Sequence, residues 1–131
     1  MDLLEIKPST PKSVGVKFSP DGILQLYGVS CDENPRPMYE QLKNWVKEYS
    51  STPAPKTEFS IRLKYFNSSS SRCLYELLET IVLLDKATKN VTIIWYFEKD
   101  DEEMEESILL FEELIKRKID RVAVDSYNSI G

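Results

Sequence analysis

The chain has 131 residues, 41% apolar and 30% charged, with a formal net charge of −5 and no histidine. That length suffices for one globular domain with its own core, so we read 1–131 as a single domain. An acidic balance disfavours nucleic acid and anionic membrane surfaces, and no apolar run approaches the roughly 20 residues of a membrane span. The missing histidine removes the commonest general base and the usual zinc sites.

Cys31 and Cys73 form neither a metal motif nor a disulfide framework. No basic-then-apolar leader opens the chain, so the expected location is cytoplasmic, with reduced thiols and no cofactor.

Leu3 to Ile6 is short and apolar and is broken by the Pro8 to Pro11 segment. Val14, Val16 and Phe18 alternate as in a half-buried strand, Ser19-Pro20-Asp21-Gly22 has turn chemistry, and Ile23 to Val29 resumes the extended pattern. The pair predicts a hairpin. Asn34, ahead of two prolines, is placed to cap a helix whose apolar stripe is Met38, Leu42, Trp45 and Tyr49, with Val46 beside it.

Phe59, Ile61, Leu63 and Tyr65 alternate with polar residues, which predicts a strand buried on one face. A helix is predicted from Cys73 to Lys89, with Leu74, Leu77, Ile81 and Leu84 along its stripe. Val91 to Phe97 reads as a central strand, with Trp95 and Phe97 in the core. Trp45 belongs to the core as well, and Tyr96 either joins it or lies on a less covered sheet face with Arg62 and Lys64. Met104, Ile108, Phe111 and Ile115 mark a third helix, and Arg121 to Val124 a last strand. Alternating strands and helices imply an α/β fold with a mixed, mostly parallel sheet, an N-terminal hairpin and helices mainly on one face.

The carboxyl ends of parallel strands share one edge, which should gather Ser30 to Asn34, Asn67 to Ser71 and Glu98 to Asp101. Ser68 to Ser71 lie at the junction just ahead of the helix predicted from Cys73, where free amides and the dipole favour negative charge. One serine explains a cap; four leave room for a phosphate, partly accommodated by Arg72. The acidic run from Glu98 to Glu106 suits a solvated helix start, and its competing reading is a metal-dependent enzyme using Asp100, Asp101 and Glu102. A constitutive scaffold is a third reading.

Tyr65-Phe66-Asn67-Ser68-Ser69-Ser70-Ser71-Arg72 resembles the phosphorylated loop of the SiaC family of bacterial regulatory phosphoproteins. The likeness extends to Ser9-Thr10-Pro11, to Gly28 through Pro35 with its Glu33-Asn34 pair, to Asn44-Trp45-Val46 and to Val91–Tyr96. It implies a STAS-like fold and a non-enzymatic switch. A cognate kinase would phosphorylate the loop, a PP2C-type phosphatase would reverse this, and the unphosphorylated form would regulate a target such as a diguanylate cyclase in biofilm control. By position the acceptor is Ser68, where the family often has threonine, with Ser69 and Ser70 behind it. Glu33, Asn34, Asn67 and Arg72 would shape the acceptor loop or meet a partner. Ser69 or Ser70 is then expected to cap the helix.

Overall fold

The computed structural model describes residues 1–125; the last six residues of the expected domain lie outside the described part. In chain order the elements are β1 (Leu4–Ile6), β2 (Val14–Phe18), β3 (Ile23–Ser30), α1 (Arg36–Tyr49), β4 (Thr57–Phe66), α2 (Ser68–Thr88), β5 (Val91–Glu98), α3 (Glu102–Ile115) and β6 (Asp120–Val124). β1 is a short apolar stretch that pairing with β2 makes a strand.

The sheet order is β1-β2-β3-β4-β5-β6, antiparallel through β3 and parallel beyond it. Each parallel crossover steps one strand in the same direction. Right-handed crossovers stepping one way place α1, α2 and α3 on one face of the sheet. That arrangement explains the polar alternation of β4.

The covered face carries Val16, Phe18, Leu24, Leu26, Phe59, Ile61, Leu63, Ile93 and Trp95, all fully buried. Leu74, Leu77 and Ile81 of α2 and Ile108 and Phe111 of α3 close over it. Each such side chain contributes about 1.5–3 kcal/mol relative to exposure. In α1 the buried set is Tyr39, Leu42, Trp45, Val46 and Tyr49. Met38, expected on that stripe, is half-buried, and Tyr39 takes the inner position.

Among the described residues no helix covers the opposite face. Tyr96 lies there half-buried, while Trp95 and Phe97 on the covered face are in the core. Tyr27 spans the open face: its ring fills the space above Gly15, where a Cβ would stand 2.2 Å from the ring. The Arg62 guanidinium lies over the same ring at 5.8 Å.

One irregularity reorients the end of β4. Gly28 pairs with Leu63 but Val29 pairs with Tyr65, which leaves Lys64 as an extra residue in β4. A one-residue shift exchanges the two faces of a strand. Tyr65, expected in the core, is therefore 55% exposed. Phe66 turns inward instead and packs against Trp95 and Phe111, with ring centroids 6.3 and 5.9 Å away.

Candidate functional site

The bulge delivers Asn67 to the end of β4 in register with the end of β3. Its N–H donates to the Ser30 carbonyl oxygen at 3.0 Å, and its side-chain amide donates to the Asp32 carbonyl oxygen at 3.2 Å. Asn67 also caps α2, accepting the Ser70 N–H on Oδ1 at 2.9 Å. The expected caps, Ser69 and Ser70, are thus displaced by the residue before the run. An extended backbone at Asn67, with ψ near 176°, aims its short side chain back at the first turn.

The serines lie inside the helix, because α2 starts at Ser68 and not near Cys73. They do not share one environment. Ser70 is fully buried, and its hydroxyl donates to the Ser30 carbonyl oxygen at 2.9 Å. The Ser30 hydroxyl donates to Ser70 Oγ at 2.7 Å and stands 2.8 Å from the Tyr39 hydroxyl. With the Ser30 proton committed to Ser70, Tyr39 is the donor in that pair. Burial pushes the Tyr39 phenol well above its ordinary range, which keeps that proton in place. Ser68 and Ser69 are exposed, and Ser71 is half-buried.

The first amides of a helix have no intrahelical acceptor, and Asn67 Oδ1 takes that of Ser70. No acidic side chain stands in the first turn of α2, in contrast to α3 with Glu102, Glu103 and Glu105. The exposed serines therefore occupy the positive end of a 21-residue helix whose dipole is not offset locally.

Arg72 extends away from that end. Its Nε donates to Glu76 at 3.2 Å, and its side chain is 74% exposed. Glu76 also accepts from Arg36 at 3.1 Å and Lys43 at 2.9 Å. Hydrogen bonds from Arg36 and Lys43 hold its carboxyl at about 2, below the usual carboxylate range. This network ties α1 to α2 behind the serine turn.

Asp32 folds its carboxylate onto the Asn34 N–H at 3.1 Å, leaving Glu33 and Asn34 exposed beside Asn67. Asn34 does not cap α1: the cap position is Pro35, with no side-chain bond. Cys73 is buried, and burial raises its thiol, which fits the packing role read from its position. At the third junction Asp101 caps α3, its Oδ1 accepting the Met104 N–H at 3.0 Å, and Glu105 pairs with Arg121 at 2.8 Å. Among the described residues no group of three or more histidine, cysteine, aspartate or glutamate side chains could hold a metal ion.

The profile of the SiaC family, described as SiaC family regulatory phosphoprotein, matches residues 6–124. The chain belongs to the SiaC family. An uncharacterized protein of Pseudomonas aeruginosa (strain UCBPP-PA14) is 25% identical over 85 residues, covering 65% of this chain and 68% of that protein. The structure of apo-SiaC from P. aeruginosa superposes with a TM-score of 0.80 at 22% identity, covering 94% of this chain and 98% of that one. SiaC in complex with the diguanylate cyclase SiaD, which it activates, superposes at 0.79 and 21% identity, covering 92% and 99%. These likenesses establish the mixed α/β fold of one six-stranded sheet with three helices.

In this SiaC-family chain the structure joins two of the three expected junctions directly, through Asn67, Ser70, Ser30 and Asp32. Sequence reasoning placed Ser30 at this edge but missed its bonds to Ser70, and it missed Tyr39. A signal existed for Ser30: it continues the inward positions Leu24 and Leu26 of β3 with a hydroxyl. A buried hydroxyl needs a partner, and the serine run at the neighbouring junction offers one.

Proposed function

We propose that this protein is a phosphorylation-controlled switch in which Ser68 is the acceptor and the unmodified rim docks a downstream target. A cognate kinase adds the phosphate and a PP2C-type phosphatase removes it. A diguanylate cyclase is the leading target, since a family member of the same fold is a cyclase activator. The protein itself catalyses no reaction in this reading.

One observation carries the assignment within the serine run. Ser70 is committed to the fold through both its amide and its hydroxyl, whereas Ser68 and Ser69 present theirs to solvent. Ser68, the first helical residue and next to the Asn67 cap, is the one that family position favours. A phosphate there adds about −1.5 to −2 charges beside Glu33 and the Asp32 turn. Against a docked surface that charge is costly to desolvate unless it is paired. Arg72 is held by Glu76, so the phosphate would face the partner without an intramolecular arginine.

The metal-dependent reading of the acidic rim loses its motive, because the caps and pairs of α3 already account for Asp101 and Glu105. A constitutive scaffold would be indifferent to the charge of residue 68. Binding of a cyclase from the same organism to three forms tests the switch: unmodified protein, Ser68→Ala and Ser68→Glu. The expected order is equal affinity for the first two and a loss of roughly tenfold or more for Ser68→Glu. Equal affinity for all three would favour the scaffold.

A further inference from the structure

Next to the serine turn lies a cavity of about 170 Å³ that the switch reading leaves without a role. It opens between the β1–β2 connection, the end of β3 and the first turn of α1. Val14, Val29, Pro35 and Met38 give it an apolar lining, and Ser30 and Tyr39 form part of its wall. Those two hydroxyls belong to the relay that ends on Ser70 of α2. A ligand in this cavity would therefore touch the groups that hold the acceptor helix in place.

Its size decides what it can take. Pockets for cofactors and drug-sized ligands run to about 300–1,000 Å³, whereas an apolar cavity of about 150 Å³ accommodates one benzene-sized group. This cavity matches a single leucine, methionine or phenylalanine side chain. Charge at its mouth selects the flanks. Lys7 and Lys12 are exposed there and make no ion pair among the described residues. The one acid on the lining, Asp32, is turned onto the Asn34 amide. With Asp32 counted, two lysines against one carboxylate still leave the lining net positive in a chain of net charge −5, a local inversion of sign.

We propose that this cavity is an anchor pocket for one apolar side chain of a partner protein segment, flanked in that segment by acidic residues. The proposal rests on the switch reading only in identifying the partner as the target that docks at the serine rim. A buried apolar anchor in a concave site with charged surroundings is the arrangement that concentrates binding energy in few residues. Phosphate on Ser68 would then add repulsion against the same acidic segment, which links the pocket to the switch.

The full chain, unphosphorylated, is titrated with three probes: acetyl-Glu-Leu-Glu-amide, acetyl-Lys-Leu-Lys-amide and acetyl-Glu-Ala-Glu-amide. Binding is followed by amide NMR shifts and by the rate of Cys31 alkylation with iodoacetamide. Cys31 lines the cavity, and the second cysteine, Cys73, is buried. The acidic leucine probe should shift Val14, Val29 and Met38 in a saturable way and slow alkylation of Cys31. The lysine probe should bind roughly fivefold or more weakly, and Lys12→Glu should narrow that gap. The alanine probe should leave the cavity residues unmoved. Met38→Trp, whose indole would fill the space, should abolish binding; protein already alkylated on Cys31 makes the same test without a substitution.

Equal binding of all three probes, shifts confined to residues outside the cavity, or no binding of the acidic leucine probe would each overturn the pocket. Phosphorylation of Ser68 in a protein that ignores the probes would sink the pocket and leave the switch standing. Probe binding in a protein that no kinase modifies at Ser68 would do the reverse.

Discussion

Ser30 and Ser70 hold each other twice, the Ser30 hydroxyl donating to Ser70 Oγ at 2.7 Å and the Ser70 hydroxyl to the Ser30 carbonyl oxygen at 2.9 Å. They lie 40 residues apart in sequence. The pair fastens the first turn of α2 to the end of β3. It also separates Ser70, which builds the site, from Ser68 and Ser69, which the site displays, while Ser71 is half-buried.

Ser70→Ala should therefore be costly in a way that Ser69→Ala is not. Removing the Ser70 hydroxyl leaves the buried Ser30 hydroxyl without its acceptor, a loss of about 1–3 kcal/mol. Ser69 is exposed, and its truncation should stay within about 0.5 kcal/mol of the parent. Urea unfolding of the two variants measures the difference. Equal midpoints would mean that the buried pair contributes nothing.

Asn67→Ala removes two contacts at once, the cap on the Ser70 amide and the bond to the Asp32 carbonyl oxygen. The expected destabilisation is about 1–2 kcal/mol, with faster amide exchange confined to the 31–34 and 67–71 segments. Asn67→Asp keeps an oxygen for the cap and adds a charge that suits the helix dipole, but it loses the donor to Asp32. It should fall between the parent and the alanine variant. Hydrogen exchange read by NMR distinguishes the three.

Glu76 sets an acid limit on the α1–α2 contact. Its carboxyl sits at about 2 in the folded protein against an ordinary value of 4.5, so folding favours the ionised form. That contribution is complete above about pH 4.5 and is lost as pH falls toward 2. The stability gap between the parent and Glu76→Gln should accordingly be widest at neutral pH. It should close as pH falls below 4, which urea unfolding at pH 7, 4 and 2.5 measures. A gap independent of pH would show that Arg36 and Lys43 do not act on Glu76 through its charge.

The elements with strong periodicity were legible from the chain alone. Met104, Ile108, Phe111 and Ile115 form the buried stripe of α3, because a 3.6-residue repeat leaves one choice of inner face. The turn at Ser19 to Gly22 was equally legible: Gly22 adopts φ +103°, and Asp21 accepts the Ile23 N–H at 3.1 Å. The bulge at Lys64 was not legible, since an inserted residue depends on pairing with β3 and leaves no mark on the alternation of β4. Its consequence reached the site: it exposed Tyr65, turned Phe66 onto the core and set Asn67 as the cap. The start of α2 was misplaced for a related reason. Serines carry no apolar period, so Ser68 to Ser71 read as a junction with one capping serine ahead of the helix, not as its first turn.

Which hydroxyl is modified decides whether Ser68 is the switch. The measurement is fragment mass spectrometry of the protein after incubation with its cognate kinase, run on the parent, Ser68→Ala and Ser69→Ala. Phosphate on Ser68 in the parent, retained in Ser69→Ala and lost in Ser68→Ala, is the expected result. Phosphate on Ser69, or on the buried Ser70, with Ser68 unmodified would contradict it.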